Sequence, residues 1–203
     1  MVRNNLFRSL VVVGLLFWVQ SVMAVTDPQA MVKKTTEQVL AEIKSKKQEL
    51  TDNPGRIYSL VDGILLPRFD FNQISRLVLG KHWKQATKKQ KKSFIKEFRE
   101  LLVRTYATAL LSYSGQDIKY PPMQSKPDAK KVKVKTKVKD VGAGAVPIDY
   151  SLYLRKDDWK VYDVTIDGVS LVSTYRTNFN SQIKRHKLSG LISNIKQRNS
   201  EGK

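Results

Sequence analysis

The sequence predicts an α+β fold, because its apolar spacing changes period twice. Apolar residues recur at helical spacing through the first half, alternate strictly after residue 130, and return to helical spacing after an Asp-Gly break. The alternation is cleanest in Lys131-Val132-Lys133-Val134-Lys135-Thr136-Lys137-Val138-Lys139, a strand with one wet and one dry face. The break, Asp167-Gly168, separates a strand from Trp159 to Ile166 from a helix opening near Ser170 or Ser173. Gly suits a corner that needs positive φ, and Ser suits an N-cap that satisfies free amides.

The helical half divides at its punctuation. Thr26 or Asp27 before Pro28 starts a helix carrying Val32, Thr36, Val39, Leu40, Ile43 and Leu50, which Asn53-Pro54-Gly55 interrupts. A second helix carries Ile57, Leu60, Val61, Ile64 and Leu65 and stops near Pro67. A third follows Asp70 with Phe71, Ile74, Leu77 and Val78 and ends at Gly80. Thr87-Lys88-Lys89-Gln90 reads as a capping box. The long helix it opens aligns Ile95, Phe98, Leu102, Tyr106, Ala109 or Leu110, and Tyr113, and Gly115 ends it.

In the second half Gly142-Ala143-Gly144 reads as a hairpin turn. Ile148, Tyr150, Leu152 and Leu154 then alternate with Asp149, Ser151, Tyr153 and Arg155. Asp157-Asp158 marks the next turn, and the strand to Ile166, with Tyr162, Val164 and Ile166 on one face, completes an antiparallel meander. Gln116 to Tyr120 reads as an edge strand. A closing helix spans about Ser170 to Lys187, and a last one about Leu188 to Arg198. The expected architecture is a curved antiparallel sheet with helices on one face.

The N-terminus reads as a signal peptide. Arg3 and Arg8 form a positive start, Leu10 to Val19 is apolar, and Val22-Met23-Ala24 places a cut after Ala24. The apolar run falls short of the ~20 residues that span a bilayer. Residues 25–203 are then one exported domain. The chain has a formal charge of +19, and the leader contributes two Arg and no acid. That charge suits nucleic acid, anionic lipid or acidic partners alike. Export favours lipid, and the aromatics Phe94, Phe98, Tyr106, Tyr150 and Phe179 lie on apolar stripes instead of among the lysines, as base stacking would need. No nucleic-acid partner is expected. Absence of cysteine excludes disulfides and thiolate chemistry.

Motifs for catalysis or metal binding fail on spacing. His82 and His186 have no carboxylates at ligand spacing, and Ser112-Tyr113-Ser114-Gly115 follows no strand and is no nucleophile elbow. Leu79-Gly80-Lys81 lacks the rest of a phosphate loop. Asp149 and Asp163 fall on the wet side of their strands, and Asp167 belongs to its turn. No enzyme activity, metal or cofactor is expected. Three basic groups stand out: the Lys strand with Lys126 and Lys130, the stripe Lys89, Lys92, Lys96 and Arg99, and Lys184-Arg185-His186-Lys187. A wet lysine face is ordinary on a strand, where it keeps the protein soluble and blunts edge pairing.

From periodicity alone, the apolar stripes make a solid core. The string Val161 to Phe179, VYDVTIDGVSLVSTYRTNF, together with the leader and the Lys/Val strand, resembles the MlaC or toluene-tolerance family of periplasmic phospholipid-binding proteins. The resemblance implies a cone related to nuclear transport factor 2, with an apolar cavity between sheet and helices holding acyl tails. It implies a periplasmic carrier shuttling phospholipid between outer and inner membranes. Its docking partners would be an outer-membrane lipoprotein–porin complex and an inner-membrane ABC transporter with an MCE-domain subunit. Facing direction selects as tail contacts Val61, Leu65, Phe71, Ile74, Leu77, Val78, Phe98, Leu102, Tyr106, Val134, Ile148, Tyr150, Leu152, Val164 and Ile166. The closing helix adds Val169, Leu171, Tyr175 and Phe179. The alternative is a cone-fold enzyme acting on a small hydrophobic substrate, which would need a carboxylate facing the cavity.

Overall fold

The computed structural model describes residues 26–124, 129–140 and 144–201. The expected leader with its cut after Ala24, Lys126, and Gly142 and Ala143 of the expected hairpin turn lie outside the described residues.

Helix α1, Pro28–Ser45, begins where Asp27 accepts a hydrogen bond from the Ala30 amide at 2.7 Å, with Pro28 in the first turn. The helix expected to run on to Leu50 breaks at Lys46 instead, and α2, Lys47–Asp52, follows. At the break the Ser45 hydroxyl donates back to the Glu42 carbonyl at 3.0 Å, the local competition by which serine weakens a helix. Helix α3 is Arg56–Ile64, and a 3-10 turn, Leu66–Arg68, carries the chain past Pro67. Asp70 caps α4, Phe71–Leu79, through the Gln73 amide at 2.9 Å, and Gly80 ends it with φ of 52°. A short helix that the apolar spacing did not announce, α5, Lys81–Gln85, follows. The capping box is formed from both sides, Thr87 and Gln90 each taking the other's amide, and opens α6, Lys88–Leu111.

The sheet has the order β1-β2-β3-β4-β5, with antiparallel neighbours throughout. Its strands are β1, Ile118–Lys119; β2, Lys131–Asp140; β3, Gly144–Arg155; β4, Asp158–Ile166; and β5, Val169–Ser170. The meander is as expected, but β4 carries a bulge. Ser151 lies opposite Asp163 while Leu152 lies opposite Val161, so Tyr162 drops out of register. The bulge corrects the expected face. Trp159 and Val161 share the inner row with Val164 and Ile166, whereas Tyr162 packs against the helical cluster.

Asp167 and Gly168, both at positive φ, turn the chain so that Val169 pairs with Ile166. The helix that follows, α7, Leu171–Glu201, has Ser170 at its start, accepting from the Ser173 amide at 3.1 Å. Lys187 (φ 58°, ψ 173°) kinks it where the sequence separates closing and last helices.

Among the described residues, three clusters form the core. One joins α4, α6 and α7 through Ile74, Val78, Leu79, Phe94, Phe98, Phe179, Ile183 and Leu191. The second joins α1, α2, α3 and α6 through Val39, Ile43, Leu50, Ile57, Val61, Val103 and Ala107. The third closes part of the inner sheet face, with Val134, Leu152, Trp159 and Val161 under Met31 and Val32 of α1. Helix α6 serves two clusters with different faces, so Val103 and Ala107 are buried although the single expected stripe omitted them.

Candidate apolar site between the sheet and the helices

The site is defined by where packing stops. Helix α6 packs on α3, α4 and α7, while the sheet meets the helical layer mainly through α1 at β2 and through α4 and α7 at β4. Cross-strand pairing aligns one inner row as Thr136, Ile148, Ile166 and Val169, and its neighbour as Val134, Tyr150 and Val164. Along this face burial falls from Val134 and Leu152, both 0 % exposed, to half-buried Ile148, Val164 and Ile166. Among the described residues, Ile148, Ile166 and Val138 join none of the three clusters. An apolar inward face that a solid core would cover is thus left partly open. Fully burying one such side chain is worth about 1.5–3 kcal/mol, so leaving several half-buried forgoes part of that stabilisation.

Helical side chains of the same kind lie half-buried on the other layer: Leu65 beside the second cluster, Leu102 and Tyr175 beside the first, and Tyr106 on α6. Tyr150 lies between Val134 and Val164 on the inner row. Burial pushes its phenol up to about 12, reinforced by nearby Tyr120 and offset by the Thr136 hydroxyl, yet part of the side chain stays accessible. Burial and hydrogen bonding to Tyr106 likewise push the Tyr175 phenol up to about 12. These phenols stay neutral at physiological pH, so the polar groups in this region are uncharged hydroxyls.

The expected tail contacts separate into three groups. Ile74, Val78, Phe98 and Phe179 are fully packed in the first cluster, where the Phe98 and Phe179 rings meet edge-on at 5.4 Å; Val61, Val134 and Leu152 are packed in the others. Leu65, Phe71, Leu77, Leu102, Tyr106, Ile148, Tyr150, Val164, Ile166, Leu171 and Tyr175 are half-buried. Val169 is 57 % exposed and lies in β5, not in the closing helix, because the turn at Asp167 and Gly168 holds it against Ile166 before α7 begins.

Two surface clefts run along the outside of the helical layer. One, of about 640 Å³, lies between α3 and α6 and is rimmed by Asp62, Lys92, Lys96, Arg99, Glu100 and Arg104. The other, of about 400 Å³, joins it at Asp62, Ile95 and Arg99 and reaches Phe69, Phe71 and Arg155. Their charged rims make them unlike the apolar inner face, and Phe71 is the one expected tail contact they touch.

The carboxylates follow the same logic. Asp149 pairs with Lys133 at 3.9 Å on the outer face. Asp163 accepts from the Val172 amide at 3.0 Å and the Ser170 hydroxyl at 2.6 Å, so it caps α7. Asp70 caps α4 and also accepts from Tyr153, with Arg155 at 3.2 Å. His82 meets Asn180 across α5 and α7 at 2.9 Å. Each of these groups is occupied in holding elements together. Sequence reasoning missed Asp70 as a junction, since its partners lie more than eighty residues away and its visible signal was only that of a cap.

Known proteins match this chain across most of its length. A solved Ralstonia solanacearum protein, described as a phospholipid-binding protein in complex with a phospholipid, is 34% identical with a TM-score of 0.81, covering 87% of this chain and 99% of that one. Toluene tolerance protein ttg2D of Pseudomonas putida is 30% identical over 165 residues, 81% of this chain and 76% of that protein. The intermembrane phospholipid transport system binding protein MlaC of Haemophilus influenzae is 25% identical over 182 residues, 88% and 85% of the respective chains. The MlaC protein family model matches residues 33–197, and with the string Val161 to Phe179 inside that span the chain belongs to the MlaC family.

Proposed function

We propose that this protein is a periplasmic phospholipid carrier, which takes acyl tails between its inner sheet face and its helical layer and shuttles lipid between the two membranes of an envelope. The observation that carries the reading is the open part of the inner face, Ile148, Val164 and Ile166, in a fold that a phospholipid-bound relative shares. Exposure to water costs about 0.8 kcal/mol per methylene, so a sixteen-carbon tail would cost roughly 12 kcal/mol in free solution. An uncharged apolar face removes that cost reversibly. No bond is made or broken, and release needs only a second apolar acceptor.

Within the half-buried group, Leu65, Leu102, Tyr106, Ile148, Tyr150, Val164, Ile166 and Tyr175 supply the tail contacts in this reading. The fully packed residues form the frame that keeps the two layers apart. Arg3, Arg8 and the apolar run to Val19 export the chain to the periplasm. There its docking partners are an outer-membrane lipoprotein–porin complex and an inner-membrane ABC transporter with an MCE-domain subunit, which supplies the energy.

Native mass spectrometry of the purified exported chain tests the proposal. Glycerophospholipid is expected to co-purify near one molecule per chain, and Ile148→Trp, which fills the open face, is expected to remove most of it while the melting transition stays cooperative. A wild-type chain that carries no lipid and takes none from vesicles overturns the reading.

A further inference from the structure

The outer face of the sheet carries a row of lysines that the carrier reading leaves unused. Lys131, Lys133, Lys135, Lys137 and Lys139 are all exposed and point to one side of β2, and β1 adds exposed Lys119 directly opposite Lys137. At a rise of about 3.4 Å per residue the β2 row is about 27 Å long. Its cross-strand neighbours on β3 are Tyr153, Ser151, Asp149, Pro147 and Ala145. Among the described residues, one ion pair touches the row, Lys133 with Asp149 at 3.9 Å, and Asp117 lies beside Lys139 at one end.

Protection of a sheet edge explains part of this row. Lysines from 131 to 135 border the stretch of β2 that β1 does not pair, where they discourage another strand from adding. It does not explain the other part. At Lys137 the edge is already covered by β1, and β1 places a like charge directly across from it, an arrangement that costs stability. The same end of the sheet bears the open inner row of Ile148 and Ile166 and the exposed Val169.

We infer that this lysine face docks the protein on an anionic bilayer surface, through diffuse attraction to phosphate headgroups. The composition favours a bilayer over an acidic protein. Protein interfaces are depleted in lysine and built on aromatic and arginine anchors, whereas from Lys133 to Lys139 the row is lysine alone, and the one aromatic neighbour, Tyr153 opposite Lys131, has its hydroxyl bound to Asp70. Flexible stems bearing compact charges suit a fluid plane of headgroups. The inference rests on the carrier reading for its purpose alone, which is to bring the open end of the inner face to the lipid it exchanges.

Sedimentation of the full-length exported protein with vesicles tests it. Phosphatidylcholine vesicles and phosphatidylcholine vesicles containing phosphatidylglycerol are compared at low and high salt. Wild type is expected to bind the anionic vesicles, and to lose them at high salt. Replacing Lys119, Lys135 and Lys137 together by Gln is expected to weaken that binding roughly a hundredfold, at about fivefold per lysine. An equal charge loss on α6, Lys89, Lys92 and Lys96 to Gln, is expected to change it less than about threefold on the same scale. Equal weakening by both triples, or equal binding to neutral vesicles, overturns the inference. So does a wild type that ignores anionic vesicles but is retained on polyglutamate through the sheet lysines, since the partner is then an acidic protein. Co-purifying phospholipid is measured in parallel, so a failure of lipid carriage reads separately from a failure of docking.

Discussion

Tyr153 of β3 donates its phenolic hydrogen to the carboxylate of Asp70, which lies at the start of α4. The contact joins the sheet to the helical layer, and the Asp70 amide adds a second link by donating to the Val161 carbonyl at 3.0 Å. Burial pushes the Asp70 carboxyl up, but the Tyr153 hydroxyl, the Gln73 and Asn72 amides and the Arg155 guanidinium together hold it below its ordinary value. Burial and that same hydrogen bond push the Tyr153 phenol up to about 12.

Asp70→Ala should therefore cost about 1–3 kcal/mol at neutral pH, by losing both a helix cap and the acceptor for a half-buried hydroxyl. Because the folded carboxyl titrates below the unfolded one, this contribution is complete above the unfolded value near 3.9 and fades as pH falls through the lower folded value. Urea denaturation of wild type and variant across acid pH checks it: the two curves should converge as the acid limb is descended. A gap that persists unchanged would show that the charge of Asp70 is not what matters.

The alkaline limb follows from the phenols. Tyr150, Tyr153 and Tyr175 are each pushed up to about 12, so their folded neutral forms are favoured. Their contribution is complete below the unfolded tyrosine value near 10 and is lost as pH rises from there toward 12. Stability should fall steeply over that interval. Phenolate absorbance should rise later in the folded protein than in urea, and Tyr150→Phe should remove part of the delay.

Helix caps, strand alternation and the corner at Asp167 were readable in the sequence because each depends on a few neighbouring residues. The capping box, the Asp27 and Asp70 caps, and the split of α7 beside Lys187 all stand where local chemistry put them. What was not readable depends on distant partners. The β4 bulge reverses the facing of Trp159 and Val161, and no alternation rule reveals one extra residue. Which apolar stripes stay uncovered is likewise a property of layer spacing, so Phe98 and Ile148 looked equivalent although one is 1 % exposed and the other half-buried.

That difference has a measurable consequence. Phe98 contacts the rings of Phe94, Tyr175 and Phe179 at 5.1–5.4 Å. Phe98→Ala should cost about 3–5 kcal/mol, because the cavity it leaves is ringed by rigid aromatics. Ile148→Ala should cost less than about 2 kcal/mol, since its surroundings are already partly open. Chemical denaturation of both variants checks the order, and equal costs would mean that the inner sheet face is as tightly packed as the helical cluster.

The kink of α7 offers a last test of backbone strain. Lys187 adopts φ 58° and ψ 173°, a region that suits glycine and costs other residues about 1–3 kcal/mol. Its side chain is exposed, so Lys187→Gly exchanges little but that strain, offset in part by the greater freedom of an unfolded glycine. Thermal unfolding should show a gain of up to about 1 kcal/mol. Gly190 behaves oppositely. A Cβ there would stand 2.7 Å from the His186 Cβ, a backbone-anchored atom with no room to retreat. Gly190→Ala should therefore destabilise, despite alanine's better helix propensity of about 1 kcal/mol, because the clash forces apart the two halves of the helix at the kink. If Gly190→Ala stabilises while Lys187→Gly does not, the kink is set by packing of Leu188, Leu191 and Ile195 alone and not by the conformation of the connecting residues.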